Sequence, residues 1–206
     1  MLRMKSKVRA KELKIAKLAL NKLRVPMLME VASPETMEGG DLVYMSDDIL
    51  LIGIGDRTNN AALEQLLGDL KENNLVTVVA VPIPYWAVHL DGLLMFLDRD
   101  LCVIHKQSLT GRSMLIEPNR RRRRIDLLDY LASKGFQFIE VTDYERYMRA
   151  TNLVAIGPRK AVGYAGIDRV KRLLIQNGVD LIEVDGSEFI RGGGGPHCMT
   201  APILRD

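Results

Sequence analysis

The stretch Asp41-Leu-Val-Tyr-Met-Ser-Asp-Asp-Ile-Leu-Leu-Ile-Gly-Ile54 decides the fold, because it predicts two strands joined by a tight turn. Apolar residues dominate 41–45 and 49–54, and the polar residues at 46–48 between them are typical of turns. A helix is predicted to run from Thr58, which can act as its N-cap, to about residue 71. A third strand is predicted over 75–81. The order strand, strand, helix, strand is therefore the unit from which we expect this α/β chain to be built.

The same order of elements recurs twice along the chain. The second unit has strands at 92–97 and 101–105, a loop, a helix from about 125 to 133 and a strand at 136–141. The third has strands at 153–157 and 161–164, a helix over 167–177 and a strand at 180–184. A recurrence of about 50 to 60 residues is typical of a radial repeat. An amphipathic helix over 5–23 and a strand over 27–31 resemble the back half of another unit, so we count three and a half units.

Composition limits the class of protein. The 206 residues suit one domain, and 47% hydrophobic and 27% charged residues are ordinary for a globular protein. No apolar run approaches the roughly 20 residues of a membrane span, and the basic N-terminus lacks the apolar core of a secretory signal. A net charge of +3 is too small to indicate a nucleic-acid partner. The two cysteines, Cys102 and Cys198, predict free thiols in a reducing cytoplasm, with Cys102 in the core.

Five consecutive arginines occupy 120–124. They could contact a polyphosphate or a nucleic acid, or they could form a solvated loop and the first turn of the next helix. We favour the solvated loop because no aromatic residues are interleaved for base stacking, and because Asp126 and Asp129 follow immediately.

The C-terminal stretch 191–206 combines four glycines, Pro196, His197 and Cys198. Consecutive glycines lose much backbone entropy on ordering and bury nothing, so an ordered glycine run needs a reason. Such a run either lets the backbone approach a ligand closely or turns the chain so that Cys198 points into a site. The alternative is a flexible tail, but such tails are usually polar, and residues 198–204 are apolar enough that we expect them to dock as a final strand.

Polar residues stand at the entries of the first two hairpins. Glu38 and Asp41 flank a Gly-Gly bend that lets both side chains turn inward, and His89 and Asp91 are two residues apart, so they share one face of an extended chain. If equivalent ends of radial units meet at a centre, these four groups converge with Cys198. A zinc site could use such ligands, but no CxxC or HExxH spacing supports it.

The converging groups favour nucleophilic catalysis by a cysteine. A thiolate is the nucleophile, and a nearby imidazolium lowers the pKa of a thiol. Carboxylates would hinder attack on an amide, where negative charge develops, but they match a planar cationic guanidinium. The residue set therefore predicts attack on a guanidino carbon.

Four stretches resemble motifs of the arginine deiminase and amidinotransferase superfamily, in the order in which that family carries them. They are 37–41 (EGGD), 54–58 (IGxRT), 89–91 (HLD) and the nucleophile motif at 194–200. The resemblance implies a pentein-like fold, an α/β propeller of five strand-strand-helix-strand units. The family's upstream guanidinium-binding aspartate has no counterpart here. We therefore expect residues 1–206 to form a single pentein-like catalytic domain truncated at its N-terminal side, completed by a second copy or a partner chain.

The resemblance also implies roles for individual residues. Cys198 would be the nucleophile, His89 the general acid and base, Asp91 a ligand of the guanidinium nitrogens, and Glu38 the group that orients and charges His89. Four further residues are expected to contact substrate: Asp41, Arg57, Arg191 and Gly195. Arg57 would contact the carboxylate end of the substrate, and Arg191 is the arginine nearest to Gly193, where arginine deiminases carry an arginine.

The implied reaction hydrolyses a guanidino C–N bond, in arginine or a related compound, to a ureido product and ammonia. It passes through a covalent amidino-cysteine intermediate and uses no cofactor or metal. Amidino transfer to an amine, and a non-catalytic pentein-like binding protein, are the alternatives.

Overall fold

The computed structural model describes residues 2–26, 29–70 and 76–202, which form a mixed α/β structure with three open sheets. The N-terminal segment contributes a 3-10 turn at Arg9–Lys11 and helix α1 (Glu12–Lys22), shorter than the predicted helix over 5–23. Residues 29–31 are not in a strand, so that part of the predicted strand over 27–31 is wrong, and residues 27 and 28 lie outside the described part.

The first sheet begins with the predicted hairpin, in which β1 (Leu42–Ser46) pairs antiparallel with β2 (Ile49–Ile54). Helix α2 (Asn60–Asp69) then returns the chain to β3 (Thr77–Pro82), which is parallel to β2. The predicted cap is wrong by one residue, because the Asn59 side chain accepts the Ala62 N–H at 2.9 Å. The Thr58 hydroxyl instead donates a hydrogen bond to the Asp41 carboxylate.

The second sheet has the same connectivity. Strand β4 (Leu94–Asp98) pairs antiparallel with β5 (Leu101–Ile104), and β8 (Gln137–Glu140) is parallel to β5 after helix α3 (Leu127–Ser133). The hairpin of β6 (Ser113–Ile116) and β7 (Arg122–Ile125) lies between β5 and α3 in the chain but pairs with β3, giving a first sheet of order β1-β2-β3-β6-β7.

Three residues of the arginine run, 122–124, therefore lie in the edge strand β7, while 120 and 121 lie in the loop before it. The predicted loop is confirmed for 120 and 121, and the predicted helix turn is wrong. Residues 121–124 are exposed, as expected for a solvated segment. Arg122 pairs with Glu64 on α2 at 2.7 Å, and the Arg120 guanidinium donates to the Leu67 carbonyl. Charged side chains on an outer strand oppose further strand pairing, which is one way proteins protect sheet edges.

The third sheet repeats the connectivity once more. Strand β9 (Val154–Gly157) pairs antiparallel with β10 (Lys160–Tyr164), and β11 (Asp180–Val184) is parallel to β10 after α5 (Asp168–Gln176). Two short helices were not predicted, α4 (Asp143–Tyr147) and α6 (Ser187–Arg191). Helix α4 begins with a capping box in which Thr142 and Glu145 satisfy each other's backbone N–H groups.

Three apolar clusters hold the sheets together. One joins the first and second sheets through residues such as Leu51, Val79 and Leu94. A second joins the second and third sheets through Val103 and Ala161. The third packs α2 against the first sheet. Cys102 is 0% exposed in the first cluster, which confirms its predicted place in the core.

The C-terminal segment ends differently from the prediction. Residues His197–Met199 form a 3-10 turn, and 200–202 are exposed and in no strand, so the final strand expected over 198–204 is wrong in its described part. Residues 203 and 204 lie outside the described residues. Within the described ranges, no helix combines the length and the apolarity needed to cross a membrane.

Candidate active site

The entry to the first hairpin buries two carboxylates. Glu38 is 1% exposed and Asp41 is 0% exposed, on either side of the Gly-Gly bend. The bend needs glycine at position 40, because a Cβ there would lie 2.7 Å from the His89 imidazole. Gly40 thus lets the imidazole lie directly against the backbone of the first entry.

Asp41 links the entries of the first two hairpins. One of its oxygens accepts the Thr58 hydroxyl at 2.6 Å, and the other accepts the Leu90 N–H at 3.0 Å. Burial raises the pKa of Asp41 to about 6, although these hydrogen bonds favour the charged form. Asp41 has no exposed surface, and both of its oxygens are hydrogen-bonded to the protein, so it connects the first two hairpin entries. The structure therefore does not support its expected contact with the substrate.

His89 pairs with Glu38. The His89 Nε2 lies 3.0 Å from a Glu38 carboxylate oxygen. Burial by itself would lower the pKa of His89. The hydrogen bond to Glu38 and the charges of Asp41 and Asp91 outweigh that effect, and the pKa is raised above its ordinary value. The surrounding carboxylates therefore favour a protonated imidazole.

Several donors surround Glu38. Its Oε1 accepts the Lys5 N–H at 3.0 Å and lies 3.5 Å from the Arg57 guanidinium, while an Arg9 nitrogen lies 3.9 Å from its Oε2. Burial would raise the pKa of Glu38, but the hydrogen bonds from His89 and Lys5, with the charges of His89 and Arg57, lower it. Arg57 thus lies against Glu38 and Asp56, and its expected contact with a substrate carboxylate stays a prediction.

Asp91 brings the nucleophile candidate into the site. It is 2% exposed, and its Oδ2 lies 3.7 Å from the Cys198 sulfur and 2.8 Å from the Nδ1 of His197. Cys198 as a residue is exposed, whereas its sulfur lies against this buried carboxylate. The structure therefore joins the second hairpin entry to the glycine-rich segment more than a hundred residues away in sequence.

The pKa of the Cys198 thiol is raised, mainly by burial of the sulfur and then by the negative charge of Asp91. The expected lowering of this pKa by an imidazolium is therefore wrong. A hydrogen bond from the Gly195 backbone acts in the opposite direction without reversing the shift. The thiol needs additional positive charge before it becomes a thiolate at neutral pH.

Asn152 is a site residue that the sequence reasoning missed. It is 1% exposed, its Oδ1 accepts the Cys198 N–H at 3.1 Å, and its amide nitrogen donates to the Asp91 carbonyl at 3.4 Å. Its backbone carbonyl accepts the His197 N–H at 3.3 Å. Gly195 packs on it so closely that a Cβ would lie 2.3 Å from Oδ1. One asparagine thus ties the nucleophile segment to the second hairpin entry.

The repeat contained a signal for Asn152. Asp41, Asp91 and Asn152 each precede a hairpin, so the three-unit alignment marks all three positions. Arg191, by contrast, is not brought to this cluster. Its side chain is 79% exposed and pairs with Glu188 on the same short helix. In the part of the chain that the structure describes, no group of three or more His, Cys, Asp or Glu residues is arranged to hold a metal ion.

These features define an α/β protein with a cysteine, a histidine and buried carboxylates at the ends of repeated hairpins. The model of the arginine deiminase family matches residues 1–205, so the chain belongs to that family. It is 32% identical over 208 aligned residues to the arginine deiminase of Staphylococcus aureus strain JH9, and the same values hold for that of strain Newman. Each alignment covers 88% of this chain and 51% of the relative, so the chain spans about half the length of these curated relatives.

Solved structures share the fold at low sequence identity. A mutant of DDAH from Pseudomonas aeruginosa complexed with citrulline has a TM-score of 0.74 at 21% identity, covering 96% of this chain and 68% of that one. AgrE in a binary complex with L-arginine has a TM-score of 0.78 at 17% identity, covering 99% of this chain and 28% of that one. The N-terminal domain of ArgZ covalently bonded to a reaction intermediate has a TM-score of 0.75 at 18% identity, covering 100% and 71%.

Proposed function

We propose that this chain carries the catalytic site of a guanidino hydrolase, converting arginine or a related guanidino compound to a ureido product and ammonia. The contact that carries the proposal is the Asp91 carboxylate 3.7 Å from the Cys198 sulfur, beside the Glu38–His89 pair. A buried carboxylate next to a thiol opposes ordinary thiolate chemistry but suits a cationic electrophile. Membership of the arginine deiminase family supports the same substrate class.

In the first step, substrate binding activates the thiol. A guanidinium hydrogen-bonded to Asp91 neutralises the charge that raises the pKa of Cys198 and places positive charge next to the sulfur. The thiol then loses its proton to solvent, and the thiolate attacks the guanidino carbon to give a tetrahedral adduct. A protein whose nucleophile is activated only by a cationic substrate avoids reacting with neutral electrophiles.

His89 moves the protons of the later steps. Glu38 raises the pKa of the imidazole and so favours its charged form, which can protonate the departing nitrogen as ammonia. The neutral imidazole then takes a proton from water, and the resulting hydroxide attacks the amidino carbon of the covalent intermediate. The C–S bond breaks, the departing Cys198 thiolate takes up the proton of the new hydroxyl group to become the thiol again, and the ureido product is released.

The test measures ammonia and ureido product from arginine, together with the mass of the protein after rapid quenching. Cys198→Ser should remove both products and the covalent adduct, whereas Cys102→Ala removes the other thiol and should leave turnover in place. Products that persist in Cys198→Ser would refute the proposal. Formation of a new guanidino compound when glycine is added as an amine acceptor would instead indicate amidino transfer.

We further propose that a second copy of this chain pairs with helix α1 to form a dimer. No residue of α1 is buried, and its residues Ile15 and Leu18 are 71% and 70% exposed. An apolar stripe of this kind rarely stays uncovered, and the same stripe on two copies can pair about a twofold axis. Light scattering should report twice the chain mass and Leu18→Glu the monomer mass. A monomer at every concentration would refute the pairing.

A further inference from the structure

Strand β7 has an unpaired outer edge. It is the last strand in the order β1-β2-β3-β6-β7, so among the described residues no strand pairs with its second edge. The Glu117 N–H donates to the Arg121 carbonyl at 2.9 Å, so this carbonyl points toward the β6 side of the hairpin. Pairing alternates along an antiparallel strand, and Arg122 and Arg124 therefore direct their N–H and C=O groups away from β6. Such a row of backbone groups is a template for another extended chain.

Guanidinium groups lie on both faces of this edge. Residues that are directly opposite in two strands share a face of the sheet. Arg122 is opposite Ile116, which belongs to the apolar cluster of α2, and Arg123 is opposite Leu115, which belongs to the cluster between the first and second sheets. The side chains of 121–124 are exposed. A chain added to β7 would therefore meet guanidinium groups above and below its own backbone.

The positive charge of this strand is mostly unpaired in the part of the chain that the structure describes. Arg122 pairs with Glu64 at 2.7 Å. Arg121, Arg123 and Arg124 take part in none of the ion pairs of the described residues. Neighbouring like charges repel one another, so the edge is a surface that favours an anionic partner.

The charge and the backbone edge together select the kind of partner. The β7 strand of a second copy has the same charge and is repelled. A nucleic acid or a polyphosphate would neutralise the arginines, but it lacks the evenly spaced N–H and C=O groups that pair with a strand. The run 120–124 also has no interleaved aromatic residue on which bases could stack. An extended peptide with acidic side chains supplies both the backbone groups and the negative charge.

We propose that β7 is a docking site for an extended acidic segment of another protein, which adds to the first sheet as a further strand. The backbone of that segment pairs with Arg122 and Arg124, and its Asp or Glu side chains pair with guanidinium groups on both faces. The backbone contacts contribute affinity, and the charges select acidic segments over others. No active-site group takes part in this docking, so it is independent of the proposed function.

The experiment measures the binding of three fluorescein-labelled probes by fluorescence anisotropy. The first is a peptide of repeated Glu-Glu-Thr units, which places glutamates on both faces of a strand. The second has repeated Glu-Glu-Pro units, which keep the charge while proline removes N–H groups from both edges. The third is an oligothymidylate of the same net charge.

The variants separate charge from backbone pairing. The triple variant Arg121→Gln/Arg123→Gln/Arg124→Gln removes three positive charges from the edge. Arg124→Pro removes an outward N–H that β6 does not use, and Arg124→Gln is its control because it removes the charge alone. The control for the triple variant removes three exposed cations elsewhere in the chain: Lys22→Gln, Arg99→Gln and Arg172→Gln.

We expect the threonine peptide to bind about tenfold more tightly than the proline peptide, the effect of one or two backbone hydrogen bonds. The triple variant should bind it about 3- to 100-fold more weakly, because each exposed ion pair contributes modestly. The control triple should stay within about twofold. Arg124→Pro should bind about 2- to 10-fold more weakly than Arg124→Gln.

Thermal unfolding of each variant detects loss of structure. If Arg124→Pro does not fold, the two peptides on the unaltered protein decide whether the backbone pairs. Four results would overturn the docking site: no binding of the threonine peptide, equal affinity for both peptides, tighter binding of the oligothymidylate, or an equal loss of affinity in the control triple. Peptide binding that persists in a protein without guanidino hydrolase activity would contradict the proposed function and leave the docking site intact.

Discussion

The hairpin entries and the nucleophile segment of this protein are built in opposite ways. Glu38, Asp41 and Asp91 are at most 2% exposed, and Glu38 and Asp41 are hydrogen-bonded to His89 and Leu90 of the second entry. Cys198 instead lies on an exposed turn after a glycine run and is held by Asn152 and Asp91. The charged groups are thus fixed when the sheets form, whereas the nucleophile is positioned by a few contacts. This difference indicates that stability and reactivity can be perturbed separately.

Removing Asp41 should have the largest effect and should act on stability. Asp41→Ala leaves the Thr58 hydroxyl and the Leu90 N–H without their acceptor in a buried place, which costs about 1–3 kcal/mol for each group. We expect the free energy of unfolding, measured by urea denaturation, to fall by about 2–5 kcal/mol. The control Asp47→Ala changes an exposed turn residue and should shift it by less than about 0.5 kcal/mol. Similar losses in both variants would contradict the structural role of Asp41.

Removing Asn152 should affect the nucleophile segment more than the fold. Asn152→Ala deletes the acceptor of the Cys198 N–H and opens space beside Gly195, so the sulfur loses its fixed position. Misplacing a nucleophile by about 1 Å can cost on the order of a hundredfold in rate. We expect alkylation of Cys198 by 2-chloroacetamidine to slow by about 10- to 100-fold, while unfolding changes by about 1–2 kcal/mol.

The exposed Asn60 provides the control for that experiment. Asn60→Ala lies at the start of α2 and should change neither the alkylation rate nor the unfolding curve. If Cys198 is alkylated at the original rate in Asn152→Ala, then the contacts of Asp91 suffice to hold the nucleophile segment. Such a result would contradict the role of Asn152 in positioning the sulfur.

Changing Asp91 to asparagine should have the smallest effect, and the effect should differ between a neutral and a cationic reagent. Burial and the Asp91 charge both raise the pKa of Cys198, so Asp91→Asn lowers it, and the pH profile of thiol alkylation moves to lower pH. At pH 8 the neutral reagent iodoacetamide should react faster, by up to about tenfold for each unit of pKa. The cationic reagent 2-chloroacetamidine loses its attraction to the site and should gain less or react more slowly.

Asp47→Asn should alter neither reagent, because that carboxylate lies in an exposed turn. A parallel acceleration with both reagents in Asp91→Asn would show that the carboxylate does not select for positive charge. The same pair of rates tests whether the nucleophile depends on a cationic substrate for its activation.

Much of this fold could be predicted from local sequence patterns, because short stretches of neighbouring residues determine the strands and turns of the repeated unit. The three hairpins follow from apolar runs interrupted by polar turns, and β11 was predicted with its observed bounds of Asp180–Val184. The hairpin of β6 and β7 was not predicted. Its partner strand β3 belongs to an earlier unit, and a run of arginines does not have the residue types that favour a strand. Strand pairing across units is a property of tertiary packing.

The sequence by itself determined which chemistry is available: one accessible cysteine, His89 and Asp91 two residues apart, and carboxylates flanking a Gly-Gly bend. Residue types and spacings carry that information because reactivity belongs to the side chain. Only the tertiary structure decided that Asp41 connects the first two hairpin entries, that Asn152 holds Cys198, and that Arg149 lies beside Gly193. The tertiary structure also decided that the pKa of the Cys198 thiol is raised and not lowered. The pKa of a thiol depends on how deeply its sulfur is buried and on which charges lie within a few ångströms.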